Sequence, residues 1–196
     1  MDITTLFWDV DNTLLDFTEG SRLCMQEGFR HFGLSYRDEM FPVFRRMNDD
    51  LWHQVEQGSL TRDRLFEIRW NTIFRALGID FDGPLFESYF RSSLRESAVP
   101  IDGAKEMLQR THRICTNVIT SNAVRAQQEN RLKKAGLLSD IDIIATSEDA
   151  GCSKPQKEFF DYCMTVLPQG TRKENILIVG DNPAADIAGG KAFGIH

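Results

Sequence analysis

The feature that most constrains the fold of this chain is an alternation of short apolar runs with amphipathic segments in its second half. Apolar runs rich in β-branched residues predict strands over residues 113–120, 141–146 and 175–180. Apolar residues at helical spacing predict helices over residues 104–110, 123–135, 157–167 and 184–193. Such alternation is typical of a parallel sheet with helices on its faces, so we expect an α/β fold. Gly194-Ile195-His196 looks like the first step of a further strand, and we expect the natural chain to continue past it.

Near the start of the chain, another apolar run leads directly into Asp9-Val10-Asp11. Side chains two apart on an extended chain point the same way, so we expect Asp9 and Asp11 to project together from the strand's carboxyl end. Open α/β sheets bind their ligands at that end. Two carboxylates this close are tolerated when a cation lies between them or one holds a proton, as in a site where one Asp attacks and the other donates a proton. Taken alone, the motif is equally well explained as an acidic turn.

The segment from about residue 16 to residue 96 differs from the rest because it contains no convincing strand. Apolar residues recur at helical spacing in four stretches, which are separated by breaks at Gly33, Gly58-Ser59 and residues 78–84. Thr61 is placed to cap the third helix. We therefore predict two domains: an α/β core of residues 1–15 and 97–196, and a helical bundle of residues 16–96 inserted after the first strand.

The composition narrows the possible functions. A net charge of −6 over 196 residues argues against a nucleic-acid polymer as partner, and 41% hydrophobic with 27% charged residues is ordinary for a folded protein. The four cysteines are far apart and form no Cys-x-x-Cys pair, so neither a zinc site nor a disulfide framework is indicated. No apolar run reaches the roughly 20 residues of a membrane span. We expect a cytoplasmic protein that does not bind membranes.

Polar side chains also follow the later predicted strands. Ser121-Asn122 comes just before a predicted helix, whose free N–H groups could join the Ser121 hydroxyl in binding a phosphate oxygen. The alternative is that Ser121 or Asn122 is simply the N-cap of that helix. Lys154 lies in a loop restrained by Pro155. It is either a solvated surface charge or the cation that the acidic site otherwise lacks.

The last signal is Gly180-Asp181, which follows an apolar strand, with Asp186 five residues after Asp181 at the start of a helix. Carboxylate oxygens suit Mg²⁺, which keeps several waters and takes only a few carboxylates from the protein. Asp181 is therefore a candidate metal ligand. Asp186 either supports the ligands from behind or is only a first-turn acid favoured by the helix dipole.

The order of these motifs, Asp-x-Asp, Ser-Asn, Lys-Pro and Gly-Asp-x4-Asp, resembles that of the haloacid dehalogenase (HAD) superfamily of phosphatases. The likeness covers nearly the whole chain, because the helical insertion also resembles that family's all-helical cap. It implies a Rossmann-like parallel sheet with helices on both faces and a cap at residues 16–96. Two departures are small: Ser121 replaces the commoner Thr, and Ala123 stands where many relatives have Gly.

The resemblance also implies a role for each motif residue. Asp9 would be the nucleophile that becomes an aspartyl phosphate, and Asp11 would protonate the leaving oxygen and then activate water. Mg²⁺ would be held by the Asp9 carboxylate, the Asp11 carbonyl and Asp181. The phosphate would be bound by Ser121, Asn122 and Lys154. Such a set suits phosphoryl transfer, which depends mainly on positioning and on neutralising charge.

The same resemblance points to a small phosphorylated metabolite as substrate, because in that family the cap closes over the leaving group. The segment from Asn48 to Thr61, with Arg69 further on, is similar to the cap of bacterial pyrimidine 5′-nucleotidases in the superfamily. Asn48, Trp52 and Arg69 could offer a nucleoside 5′-monophosphate an amide, a stacking face and a cation. A place in the cap core explains Trp52 at least as well.

Other activities stay open at this stage. A sugar-phosphate phosphatase or a phosphoglucomutase-like enzyme would use the same motif residues. A dehalogenase of this fold would also use Asp9, but it has no leaving alkoxide for Asp11 to protonate. A phosphoacceptor signalling domain combines Asp, Mg²⁺, Ser or Thr and Lys, yet such domains lack a helical insertion behind the first strand. A binding module without catalysis is disfavoured because every expected catalytic position is filled.

Overall fold

The chain forms two compact units in a computed structural model that describes residues 2–196. One unit contains residues 2–17 together with Ala98–His196, and the other contains Thr18–Ser97. The first is built on a β-sheet and the second consists of helices and their connections. The two are described separately below.

The β-sheet of the first unit has four strands, which are β1 (Thr5–Trp8), β2 (Thr116–Ser121), β3 (Ile143–Thr146) and β4 (Ile176–Val179). All pairings are parallel, in the order β3-β2-β1-β4, so the strand before Asp9 lies inside the sheet. This confirms the predicted parallel α/β fold. Beside β4, the backbone of His196 donates to the Ile176 carbonyl at 3.0 Å and accepts from the Ile178 N–H at 2.8 Å.

The helical unit contains the four helices expected from the apolar spacing, α1 (Phe17–His31), α2 (Met40–Glu56), α3 (Arg62–Leu77) and α4 (Gly83–Glu96). The Thr61 hydroxyl accepts a hydrogen bond from the Arg64 backbone N–H, which confirms it as the cap of α3. Trp70 is fully buried, and its ring centroid lies 4.2 Å from that of Phe86 and 5.1 Å from that of Phe90. Aromatic residues therefore make the core of this unit.

The first unit adds five helices, α5 (Ala104–Thr111), α6 (Arg125–Lys134), α7 (Ser147–Ala150), α8 (Lys157–Val166) and α9 (Gly189–Phe193). The predicted last helix over residues 184–193 is in fact a π-helical turn, Pro183–Ala188, followed by α9. The short α7 was not predicted, although the Thr146 hydroxyl and the Asp149 carboxylate cap it reciprocally. Among the described residues, no helix is both long enough and apolar enough to cross a membrane.

The sheet has an apolar core on each face because successive strand residues point to opposite sides. Phe7 and Ile178 pack on one side with residues of α8 and α9. Trp8 and Ile119 pack on the other side with residues of α5 and α6. This three-layer arrangement leaves the ends of the strands as the place where polar loops converge.

Two glycines of α1 make a matched test of packing in the helical unit. A methyl group added at Gly28 would lie 2.6 Å from Cζ of the buried Phe86 ring, whereas one at Gly20 would meet the Ser97 hydroxyl at 2.7 Å. We expect Gly28→Ala to lower the free energy of unfolding by about 1–3 kcal/mol, because a rigid ring must move. In Gly20→Ala the Ser97 hydroxyl can rotate away, which costs less than moving a ring. The higher helix propensity of Ala, worth about 1 kcal/mol, offsets that smaller cost. Urea unfolding of both variants checks this, and equal losses would contradict it.

Candidate active site

Lys154 is the centre of the candidate site. Its side chain is only 1% exposed, so it is not the solvated surface charge that a lone lysine usually is. The ammonium donates to Asp9 Oδ1 at 2.8 Å, to Asp186 Oδ1 at 2.6 Å and to the Thr120 carbonyl at 2.7 Å. Burial opposes the charge on Lys154, but Asp9 and Asp186 outweigh it and hold the pKa of the ammonium above its usual value. One cation therefore joins groups at the carboxyl ends of β1, β2 and β4.

Asp9 stands directly after β1 and is 9% exposed. The pKa of its carboxyl group is raised to about 7, chiefly by burial; Lys154 opposes this rise, and the charges of Asp186 and Asp11 add to it. A nucleophilic carboxylate must be ionised, so this position is suited to a second cation in addition to Lys154.

Asp181 and Asp186 bring two more carboxylates to Asp9. One oxygen from each of the three acids lies within 4.8 Å of the others. A Cβ atom at Gly180 would come within 2.2 Å of Asp186 Oδ2, so only glycine permits this approach. Oxygen ligands grouped in this way fit a hard ion such as Mg²⁺.

Asp186 contacts Lys154 rather than standing as an isolated first-turn acid. Its Oδ1 accepts from Lys154 Nζ, and its Oδ2 accepts from the Asn182 backbone N–H at 3.1 Å. Because Asp186 is 1% exposed and engaged by two donors, it is suited to fixing the ammonium beside Asp9. That Asp186 supports the metal ligands from behind stays a prediction.

Asp11 has partners different from those of Asp9. Arg131 Nη1 donates to Asp11 Oδ1 at 2.6 Å, and Gln128 Nε2 donates to Asp11 Oδ2 at 2.8 Å. We expected the two acids to project together because we assumed that the strand extends through both of them. β1 ends at Trp8, before either acid, so that assumption does not hold. Neither Gln128 nor Arg131 was predicted. The available signal was the position of Gln128 four residues before the apolar Leu132 and three before Arg131, which groups them on the buried side of α6.

Ser121 and Asn122 are not the N-cap of α6, so that alternative is wrong. Val124 occupies the N-cap, without a side-chain hydrogen bond. The buried Ser121 hydroxyl accepts from the Ala123 N–H at 3.2 Å and from Gln128 Nε2 at 3.0 Å. Asn122 Oδ1 accepts from the Lys154 N–H at 2.8 Å, and Asn122 Nδ2 donates to the Lys154 carbonyl at 3.1 Å. Because both ends of its amide hydrogen-bond to the Lys154 backbone, Asn122 is suited to positioning Lys154 rather than to binding phosphate.

The expectation that Asn48 and Arg69 present polar groups to a nucleotide is corrected by their contacts within the helical unit. Arg69 forms a bidentate pair with Glu87, with N–O distances of 2.6 and 3.0 Å, and donates to Asn48 Oδ1 at 3.0 Å. All three side chains are buried, so their polar groups serve each other. Trp52 is partly buried and packs edge-on against Phe66, beside the buried apolar residues of α2 and α3.

Comparison with known proteins agrees with the geometry. The family model of haloacid dehalogenase-like hydrolases matches residues 3–194. YfnB of Bacillus subtilis (strain 168), described only as a HAD-hydrolase, is 34% identical over 191 residues, which are 97% of this chain and 81% of that protein. The structure of YfnB bound to magnesium matches this chain with a TM-score of 0.95 and 33% sequence identity. The match covers 100% of this chain and 87% of the YfnB chain.

Two further relatives carry a more specific name. The pyrimidine 5′-nucleotidase YjjG of Escherichia coli (strain K12) is 30% identical over 97% of this chain and 82% of its own length. The pyrimidine 5′-nucleotidase PynA of Streptococcus pneumoniae (strain ATCC BAA-255 / R6) is 27% identical over 97% of this chain and 80% of its own length. The chain belongs to the haloacid dehalogenase-like hydrolase family.

The buried pair of Arg69 and Glu87 yields a stability prediction. We expect Arg69→Met to lower the free energy of unfolding by about 3–5 kcal/mol, because it leaves the Glu87 charge buried and unpaired. The double variant Arg69→Met with Glu87→Leu should be more stable than the single one, since the uncompensated charge is gone. Urea unfolding measures both. If Arg69→Met unfolds like the wild type but raises the KM for nucleotides, the stability prediction is wrong and Arg69 contacts the nucleotide.

Proposed function

We propose that the protein is a Mg²⁺-dependent phosphomonoester hydrolase that works through an aspartyl phosphate on Asp9. The observation that carries this proposal is the buried Lys154 ammonium on Asp9 and Asp186, with Asp181 grouped beside them. An isolated structural ion pair needs one acid for each base, whereas this site gathers more carboxylates than cations. Such an excess suits a site that receives a metal ion and then a phosphate.

The proposed reaction would use these side chains in two steps. An Asp9 oxygen attacks phosphorus while the bond from phosphorus to the alcohol oxygen breaks, and Asp11 gives that oxygen a proton. A water molecule then attacks the phosphorus and gives a proton to Asp11. Inorganic phosphate departs, and Asp9 is a carboxylate again. Lys154 and the Ser121 hydroxyl would bind the phosphate oxygens throughout. Positioning and charge neutralisation supply most of the catalysis in phosphoryl transfer.

The acids fit the expected metal ion. The Asp9 and Asp181 carboxylates and the Asp11 carbonyl would hold Mg²⁺, while the Asp186 oxygens are already engaged by Lys154 and Asn182. When bound, the ion would neutralise negative charge on the phosphate and on Asp9. It would also favour the ionised form of Asp9, which burial otherwise disfavours.

We further propose nucleoside 5′-monophosphates as the substrate class and residues 16–96 as the cap that selects among them. Support for the substrate comes from YjjG and PynA, which are named pyrimidine 5′-nucleotidases and match the chain over nearly all of its length. The contacts that would recognise the base are not assigned, because Asn48 and Arg69 are paired with each other.

A substrate panel tests both levels of the proposal. With Mg²⁺, we expect UMP, dUMP and TMP to be hydrolysed faster than sugar phosphates, and Asp9→Asn to abolish release of phosphate from all of them. Asp161→Asn, which removes an exposed acid paired with Lys157, is the matched control and should keep full activity. If sugar phosphates are hydrolysed as well as nucleotides, the nucleotidase assignment falls and the phosphatase assignment stands.

Metal dependence gives an independent prediction. Chelation by EDTA should abolish hydrolysis and added Mg²⁺ should restore it, because burial and neighbouring acids disfavour the ionised Asp9 without a second cation. Asp181→Asn should raise the Mg²⁺ concentration needed for half-maximal activity at least several-fold, since one charged ligand is lost. Titration of activity with Mg²⁺ measures this. Unchanged activity after exhaustive chelation would remove the metal from the proposal.

A further inference from the structure

Both carboxylate oxygens of Asp11 are held by side chains of α6. Arg131 Nη1 lies 2.6 Å from Asp11 Oδ1, and Gln128 Nε2 lies 2.8 Å from Asp11 Oδ2. Gln128 is fully buried and Arg131 is 1% exposed. Because a buried guanidinium is costly unless it is paired and hydrogen-bonded, the charge of Asp11 stabilises this arrangement.

Gln128 also connects Asp11 to the candidate phosphate-binding hydroxyl. The same Nε2 atom lies 3.0 Å from Ser121 Oγ, and Gln128 Oε1 accepts from Arg131 Nη1 at 3.0 Å. One amide group therefore fixes Asp11 relative to Ser121. Gln128 and Arg131 are three residues apart on one helix, so α6 presents both to the site as a rigid unit.

We propose that Gln128 and Arg131 are positioning residues that set Asp11 for proton transfer to the leaving alcohol. The inference rests on the proposed phosphatase function. Asp11 enters that step protonated: the bond from phosphorus to the alcohol oxygen breaks, the bond from Asp9 to phosphorus forms, and the proton passes from Asp11 to the alcohol oxygen. Asp11 is left as the carboxylate that Arg131 and Gln128 hold, and the water that later hydrolyses the aspartyl phosphate returns the proton. A guanidinium remains protonated in proteins, so Arg131 orients Asp11 without competing for that proton.

The leaving group distinguishes positioning from a purely structural role. An alkyl alcohol needs a proton to depart, whereas p-nitrophenolate departs readily without one. The value of kcat/KM reports only the steps up to departure of the alcohol, so later hydrolysis of the aspartyl phosphate does not obscure the comparison. We expect Arg131→Met to lower kcat/KM for the best alkyl phosphate by about 10²-fold, the lower end of general-acid contributions. For p-nitrophenyl phosphate the loss should be much smaller.

Arg125→Met is the matched control, because it also removes an arginine of α6 that is paired with acids, here Asp149 and Glu129. It should change kcat/KM for the two substrates by the same factor. Arg131→Lys should recover part of the alkyl-phosphate activity, and Gln128→Met should show the same selective loss if Arg131→Met does not fold. Equal losses on both substrates in variants that fold would overturn the positioning role. An inactive wild-type enzyme would instead overturn the proposed function itself, and this inference with it.

Discussion

The ammonium of Lys154 is the interaction on which the candidate site depends. It contacts an acid after β1, a carbonyl at the end of β2 and an acid in the turn after β4, so it connects the carboxyl ends of three strands. The side-chain amide of Asn122 hydrogen-bonds to the backbone N–H and carbonyl of Lys154. A charge buried this deeply is stable only because its three N–H groups meet oxygen acceptors, and removing one acceptor leaves part of the charge uncompensated.

The charge balance around Lys154 explains why the arrangement suits catalysis. Four carboxylates, those of Asp9, Asp11, Asp181 and Asp186, are gathered near two cations, Lys154 and Arg131. Burial and the neighbouring acids raise the pKa of Asp9, which means that its ionised form is unfavourable until more positive charge arrives. Under the proposed function, a metal ion would supply that charge and would in turn favour the binding of a phosphate. The two ligands would then be coupled through one carboxylate.

Much of this site follows from the sequence because parallel strands end at the same edge of a sheet. Asp9, Lys154 and Asp181 were placed there by the alternation of strands and helices, without knowledge of the strand order. The order itself depends on which strands pack against each other over long separations in the chain, and local patterns do not contain that information. The π-helical turn at residues 183–188 escaped prediction for a similar reason, since its apolar spacing resembles that of an ordinary helix.

The polar partners were harder to predict than the acids. Gln128 and Arg131 lie in a helix so polar that its sequence resembles a solvated surface, and only tertiary packing buries them. Arg69 and Asn48 were expected, from a likeness to nucleotidase caps, to face a nucleotide, but that likeness did not point to Glu87, which is eighteen residues after Arg69 and pairs with it. A polar residue takes its role from its partners, and those partners are set by the fold.

The two most buried ion pairs of the chain illustrate how structural and functional charge differ. Arg69 and Glu87 match one base to one acid with two parallel hydrogen bonds, and Asn48 completes the set, so nothing is left to attract a ligand. Lys154 is shared between Asp9 and Asp186, with Asp181 close by, so negative charge remains in excess. Both arrangements are similarly buried, and burial therefore does not separate them. What separates them is whether the charges balance within the protein or only after a ligand has bound.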